Sequence, residues 1–229
     1  MKVLAIGAHP DDIEIFMLGF LLACKKRGDK IYAAVATDGN KGNVIINHNL
    51  KNIRAKETVR ALKDIAVPHF FNFPDGQLHQ IAEVSSVIKN YILSIEPQLI
   101  ITHPPEDYHP DHRALSNYVS QATGFNCPIL FSDTLLGVSF EPNYYVDITP
   151  YFQIKCRAIL KHKSQLPKKF LEAIKLQNQF RSAQCNAPIG TYAEAYKYEK
   201  RFPFSDIRSL FPPSPGINSF YKSLNDSLI

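Results

Sequence analysis

Several common features are scarce or missing in this 229-residue chain. The four cysteines are Cys24, Cys127, Cys156 and Cys185. They lie far apart and form no Cys-x-x-Cys pair, which argues against a disulfide framework and against a cysteine zinc site. No apolar run approaches the roughly 20 residues of a membrane-spanning helix. The net charge is +5 and the basic residues are scattered, so the concentrated stripe of a nucleic-acid-binding surface is absent. We therefore expect a small-molecule ligand, no nucleic acid and no membrane span.

The start of the chain also lacks the marks of a secretory signal. A strand-like apolar run begins within two residues of Met1, with no charged leader and no small-residue cleavage site. Dispersed cysteines are typical of a reducing compartment. Together these features predict a cytoplasmic protein. The oligomeric state is left open, and a homo-oligomer is one of the outcomes that the sequence allows.

Apolar runs alternate with amphipathic stretches through the first two-thirds of the chain. The predicted strands are 2–7, 31–37, 69–73, 99–103 and 129–131, and the predicted helices are 11–27, 51–65, 82–95 and 111–123. This alternation implies right-handed crossovers and predicts an α/β fold, a Rossmann-like three-layer sandwich with a mostly parallel central sheet. No Gly-x-Gly-x-x-Gly follows the first strand, so a nucleotide-dependent oxidoreductase is disfavoured.

The pattern changes after residue 134. A strand is predicted over 144–148 and helices over 151–162 and 168–184. We expect residues 1–200 to form a single domain and residues 201–229 to form a tail rich in proline and aromatic side chains. Because proline is poor helix material, this tail is expected either to pack on its own domain or to contact a partner subunit.

Two motifs, each at the end of a predicted strand, carry the candidate chemistry. Ala8-His9-Pro10-Asp11-Asp12 follows the first strand, and His109-Pro110-Asp111-His112 follows the fourth. In an open parallel sheet, loops after neighbouring strands emerge at the same edge, where ligands bind. A proline followed by acidic residues is also a common helix start. The histidines, present in both motifs, favour a shared metal site.

The residue types at this edge suit a catalytic metal. Catalytic zinc takes three ligands from His, Asp and Glu and keeps a fourth position for water. His9, Asp12 and His112 would supply two nitrogens and one oxygen, and Fe²⁺ or Co²⁺ suits the same set. Such a cation lowers the pKa of its bound water to about 7. The sequence therefore predicts a site that activates water.

The remaining residues of the two motifs suit acid–base roles. Asp11 lies beside a predicted ligand and is the candidate general base. Asp111 is expected to orient the His109 ring, which would stabilise an oxyanion or protonate a leaving amine. These roles predict metal-assisted hydrolysis of an amide or a similar acyl bond.

At these residues the chain resembles the LmbE-like (PIG-L) family of zinc-dependent N-deacetylases, which remove acetyl from N-acetylglucosamine conjugates. The resemblance continues to about residue 200 through the segments 37–39, 54–57, 74–76, 146–148, 162–165 and 193–196. It implies a zinc-dependent hydrolase that removes the acetyl group from an N-acetylated amino sugar. It also implies that the three predicted metal ligands and the Asp11 base match the family's site, with His109 stabilising the tetrahedral intermediate and Asp111 as its partner.

The resemblance implies substrate contacts as well. Arg54 and Asp75 match positions that family members use to hold the sugar or its aglycone, and Tyr108 is a candidate donor to the oxyanion. Each has a plainer interpretation: Arg54 as a helix charge paired with Glu57, Asp75 as part of an Asp-Gly turn, and Tyr108 as an exposed loop residue. An asparagine-rich loop over 40–52 is expected to border the pocket.

Two alternatives to sugar deacetylation remain open. The same residues would serve a zinc amidase that acts on another small amide conjugate and releases an acid larger than acetate. A non-catalytic zinc-binding or sugar-binding protein is the second alternative. Structural zinc usually has four protein ligands, often cysteines, and no cysteine lies near either motif. Asp11 would also have no purpose in such a protein.

Overall fold

Strands and helices alternate along the chain in the computed structural model, which describes residues 1–42, 49–198, 200 and 204–216. The strands are β1 Lys2–Gly7, β2 Lys30–Thr37, β3 Pro68–Phe73, β4 Leu99–Thr102, β5 Ile129–Ser132, β6 Tyr144–Asp147 and β7 Ala193–Tyr198. The helices are α1 Asp12–Phe16, α2 Leu18–Lys26, α3 Leu50–Ala61, α4 Val84–Ile95, α5 Pro110–Thr123, α6 Phe152–Ile159 and α7 Pro167–Gln184. Within these described ranges, no helix is long and apolar enough to cross a bilayer.

One sheet contains all seven of these strands, in the order β3-β2-β1-β4-β5-β7-β6. Strands β1 to β5 pair in parallel, and β7 runs antiparallel to both β5 and β6. The predicted α/β fold with a mostly parallel sheet is confirmed. The sequence analysis missed β7, because its six residues include two charged side chains, two alanines and no β-branched residue, which outweigh the strand preference of its two tyrosines.

The sheet separates two apolar cores, because successive side chains of a strand point to opposite faces. On β1, Val3 and Ala5 belong to the core shared with α1, α2 and α6, whereas Leu4 and Ile6 belong to the core shared with α4 and α5. All four side chains are fully buried. Burial of a leucine or valine side chain contributes about 1.5–3 kcal/mol, so both faces of the sheet hold the strand ends in place.

The single helix predicted over 11–27 is wrong, because the chain breaks at Met17, which has a φ of −130°. The Glu194 carboxylate on β7 accepts the backbone N–H groups of Gly19 and Phe20 at 2.9 and 2.7 Å. These bonds satisfy the free donors of a new helix start. A side chain at Gly19 would overlap Ile148, so only glycine allows this close approach.

The described part of the predicted tail lies against the domain. Phe211 is buried and packs on Tyr144 and Phe20, with ring centroids 4.8 and 6.3 Å away. The backbone N–H of Asp147 donates to the Pro213 carbonyl oxygen at 3.1 Å. Residues 201–203 and 217–229 of the predicted tail lie outside the described residues. The predicted domain boundary at residue 200 stays a prediction.

Candidate metal and active site

The two motifs meet because β1 and β4 are neighbours in the sheet. Val3 pairs with Leu99 and Ala5 with Ile101 in parallel register. The strand order reverses between these strands, and such a point opens a crevice at the carboxyl ends. The His9 and His112 rings, 103 positions apart in the chain, therefore lie with their centroids 5.2 Å apart.

Three candidate ligand atoms form a nearly regular triangle. His9 Nδ1 lies 3.2 Å from His112 Nε2, and each of these nitrogens lies 3.4 Å from Asp12 Oδ2. Ligand atoms at zinc–nitrogen and zinc–oxygen bond lengths of a tetrahedral site are about 3.3 Å apart. The spacing and the donor types therefore fit a divalent metal ion, and all three side chains line one cleft.

Each histidine of the triangle turns its second nitrogen towards a carboxylate. His9 Nε2 lies 3.3 Å from both Asp111 Oδ2 and Asp75 Oδ1. His112 Nδ1 lies 3.0 Å from Asp107 Oδ2. Carboxylates in this position orient metal-ligating histidines and raise their basicity. In the metal-free protein, Asp12 and Asp107 outweigh burial and raise the pKa of His112 to about 9.

The structure corrects the predicted contact between the Asp111 carboxylate and the His109 ring. The carboxylate instead accepts the backbone N–H groups of Gly76 and Leu78 at 2.7 and 3.1 Å and lies beside His9. Although burial raises the pKa of Asp111, its hydrogen bonds with His9 and these N–H groups lower it to about 2. The reason is local geometry: His109 precedes α5 and its ring already contacts the Asp111 backbone.

His109 is half-buried at the cleft and is uncharged near neutral pH. Burial, together with the nearby His9 and His112, lowers its pKa to about 4. Its Nδ1 accepts the backbone N–H of Asp111 at 3.2 Å. The neutral ring must therefore carry its proton on Nε2. A neutral N–H donor is suited to hydrogen-bond a substrate oxygen, which favours the first of the two predicted roles of His109, stabilisation of an oxyanion.

Asp11 lies in the cleft with a strained backbone. Its φ of 135° is in the region that L-residues rarely adopt, and such strain is concentrated at functional sites. The side chain is buried, which raises the pKa of its carboxyl group, while the charge of Arg54 opposes this shift. A carboxylate with a raised pKa is a stronger base, as proton abstraction near neutral pH requires.

The Arg54 guanidinium is held beneath Asp11. Its Nη2 lies 3.1 Å from Asp11 Oδ1 and donates to the Pro10 carbonyl oxygen at 2.8 Å. Its Nη1 donates to the Gly39 carbonyl oxygen at 2.9 Å. The alternative pairing with Glu57 is wrong, because that carboxylate bonds to the turn before α7. A sugar contact by Arg54 stays a prediction.

The cleft has a volume of about 360 Å³, within the usual range for small-molecule sites. Asp75 and Tyr108 line it, and Tyr108 is 51% exposed at the rim. The apolar part of the lining is formed by Ile15, Phe16, Leu135 and Phe170. Of the loop predicted to border the pocket, Lys41 and Gly42 line the cleft, and residues 43–48 lie outside the described residues.

Sequence reasoning missed two residues of this site, His103 and Asp107. His103 is fully buried, its Nε2 lies 3.0 Å from Asp12 Oδ2, and its ring stacks on His112 with centroids 3.7 Å apart. The signal was available, because His103 directly follows β4 much as His9 follows β1. Asp107 carried no comparable signal, since a single acidic residue in a loop is ordinary.

Comparison with known proteins gives consistent results. The profile of the family described as PIG-L, GlcNAc-PI de-N-acetylase, matches residues 4–123. Diacetylchitobiose deacetylase of Thermococcus kodakarensis is 29% identical over 188 residues, which cover 72% of this chain and 70% of that protein.

Solved structures share the fold. N,N'-diacetylchitobiose deacetylase of Pyrococcus horikoshii superposes with a TM-score of 0.76 at 25% identity, covering 86% of this chain and 83% of that one. The 4-carboxy-2-hydroxymuconate hydratase GalB of Pseudomonas putida has the same TM-score at 17% identity, covering 86% of this chain and 95% of that one. The hydratase shows that the fold by itself does not decide the reaction.

Proposed function

The chain belongs to the PIG-L (LmbE-like) family, and on that basis we propose that it is a zinc-dependent hydrolase that removes the acetyl group from an N-acetylated amino sugar. The observation that carries the proposal is the triangle of His9, Asp12 and His112 with Asp11 beside it. The residues support the reaction class. The named relatives, both deacetylases of diacetylchitobiose, support the sugar.

The proposed ligands are His9, Asp12 and His112. A divalent ion bound there would polarise the acetyl carbonyl and make water acidic enough to lose a proton near neutral pH. Zinc suits two nitrogens and one oxygen with an open position, and Fe²⁺ or Co²⁺ would accept the same set. A matching spacing of the three ligand atoms in the folded chain supports a preformed site.

Asp11 is the proposed general base. It takes one proton from the attacking water as the water oxygen bonds to the acetyl carbonyl carbon. Arg54 holds the carboxylate in place from below, and a positioned base contributes roughly 10²–10⁴-fold to the rate. As the carbon–nitrogen bond breaks, the proton on Asp11 passes to the leaving amine, so acetate and a free amino sugar are the products.

His109 is the proposed oxyanion donor. Its neutral ring carries an Nε2–H, because Nδ1 is occupied by the Asp111 backbone N–H. A fixed donor of this kind stabilises charge that develops on the carbonyl oxygen. The Asp111 carboxylate supports the site by accepting the backbone N–H of Gly76 and by its contact with His9.

Asp75 and Tyr108 are the proposed contacts to the sugar. Asp75 is held in the cleft by the backbone N–H of Lys41, which donates to its Oδ2 at 2.9 Å. Its Oδ1 lies 3.3 Å from His9 Nε2, and the second lone pair of this oxygen is the proposed acceptor for a sugar hydroxyl group. Tyr108 lies at the rim, where the aglycone would leave the cleft.

The test is acetate release by zinc-loaded protein from N-acetylglucosamine, N,N'-diacetylchitobiose and O-linked N-acetylglucosaminides. We expect acetate and free amine in equal amounts, with Asp11→Asn as the matched inactive control. If none of these sugars releases acetate, the sugar assignment is refuted. Release of a larger acid from other amides would favour the amidase alternative, and metal binding without any turnover would favour the non-catalytic one.

A further inference from the structure

We propose that Asp107 is a positioning residue that holds His112 in the tautomer able to bind the metal. The inference rests on the proposed metal site and assigns a role to a residue that neither motif contains. Asp107 touches no candidate ligand atom directly. It acts through the far side of the His112 ring.

The Asp107 carboxylate joins both ends of the second motif. The side chain is 1% exposed. Its Oδ2 lies 3.0 Å from His112 Nδ1, and its Oδ1 accepts the backbone N–H of His109 at 2.8 Å. An ionised carboxylate only accepts hydrogen bonds. His112 therefore keeps its proton on Nδ1, so Nε2, which faces His9 and Asp12, is the nitrogen that would give its lone pair to the metal.

Other contacts restrict the remaining freedom of this pair. The His112 ring is stacked on His103 with an angle of 15° between the planes, so the orientation of its plane is set by packing. The Arg113 guanidinium donates to the carbonyl oxygens of Asp107 and Tyr108 at 2.8 and 2.7 Å, which secures the loop. The choice between the two tautomers is what Asp107 decides.

Asp107→Asn tests this role because it changes one atom and keeps the shape. If the amide oxygen continues to accept the His109 N–H, the amide NH₂ faces His112 Nδ1 and donates to it. The ring proton then belongs on Nε2, where it blocks a metal ligand. Loss of such a carboxylate partner typically weakens metal binding roughly 10–100-fold, and we expect a decrease of that size in zinc affinity, measured by competition with a chromogenic chelator.

Glu106→Gln is the matched control. Glu106 is the neighbouring acidic residue, and its Oε1 pairs with the partly exposed Lys197 at 2.7 Å, away from His112. We expect its zinc affinity to equal that of the wild type. The metal-free Asp107→Asn protein should keep the wild-type circular dichroism spectrum, and zinc should raise its Tm less than that of the wild type.

Nitrogen NMR of the His112 ring provides a second measurement that does not depend on any variant folding. The zinc-loaded wild type should show a protonated Nδ1, and a protonated Nε2 would overturn the inference. Wild-type zinc affinity in folded Asp107→Asn would also overturn it while leaving the proposed function intact. A wild-type protein that binds no zinc would refute the proposed function and this inference together.

Discussion

Arg54 Nη2 lies 3.1 Å from Asp11 Oδ1, and both side chains are almost completely buried. The pair joins α3 to the first turn after β1. Burial raises the pKa of Asp11, and the positive charge of Arg54 opposes this increase. Arg54 therefore influences both the position and the ionisation of the proposed base.

Arg54→Lys is expected to lower kcat while zinc content stays unchanged. A shift of about 1 Å in a catalytic group costs on the order of 10²-fold. If the lysine charge offsets the effect of burial less well, the pKa of Asp11 rises further. The base is then ionised only at higher pH, and the acidic limb of the plot of kcat against pH moves to higher pH. Arg60→Gln on the exposed side of α3 is the control. An unchanged kcat and pH profile in Arg54→Lys would show that the pair does not act on the base.

Two substitutions in the site should distinguish the residues needed for metal binding from the residue needed only for turnover. Asp11→Asn should retain zinc and lose roughly 10²–10⁴-fold in kcat, because only the base is removed. His112→Ala should lose zinc, because one of three ligands is removed. Elemental analysis and acetate release measure the two quantities. An Asp11→Asn enzyme as fast as the parent would refute the base assignment.

Removal of the metal should abolish acetate release and lower the Tm. A ligand that binds only the folded state stabilises it by about 2.7 kcal/mol when its concentration is 100 times Kd. Dialysis against a chelator, followed by stepwise addition of Zn²⁺, Fe²⁺ or Co²⁺, measures both effects and identifies the ion that restores activity. Full activity in the metal-free protein would contradict the proposed mechanism.

Lys155 and Glu194 form a buried ion pair whose disruption should destabilise the fold. Their Nζ and Oε1 atoms are 2.6 Å apart, and both side chains are at most 2% exposed. Lys155→Met leaves the Glu194 charge buried without its cation, which costs about 3–5 kcal/mol. The free energy of unfolding in urea measures this loss.

Lys197→Met is the control for that measurement. Its pair with Glu106 is partly exposed, and such pairs contribute about 0–1 kcal/mol. Equal losses in the two variants would show that burial does not determine the strength of the Lys155 pair.

Much of the molecule was predictable from local pattern. The strands predicted over 2–7 and 99–103 correspond closely to β1 and β4, because their apolar runs are bounded by polar turns. The first predicted helix failed at Met17, because a new helix start is held there by the Glu194 carboxylate, which lies 175 positions from Gly19 in the chain. No pattern within the helix carries that information.

The sequence alone determined the fold class and predicted that His9, Asp12 and His112 follow the ends of two parallel strands. Both follow from local periodicity and from the rule that parallel strands end at one edge. Only the tertiary structure decided which partner each carboxylate takes: Arg54 for Asp11, and His9 rather than His109 for Asp111. A hydrogen bond depends on a few tenths of an ångström between atoms from distant segments, and packing alone sets those distances.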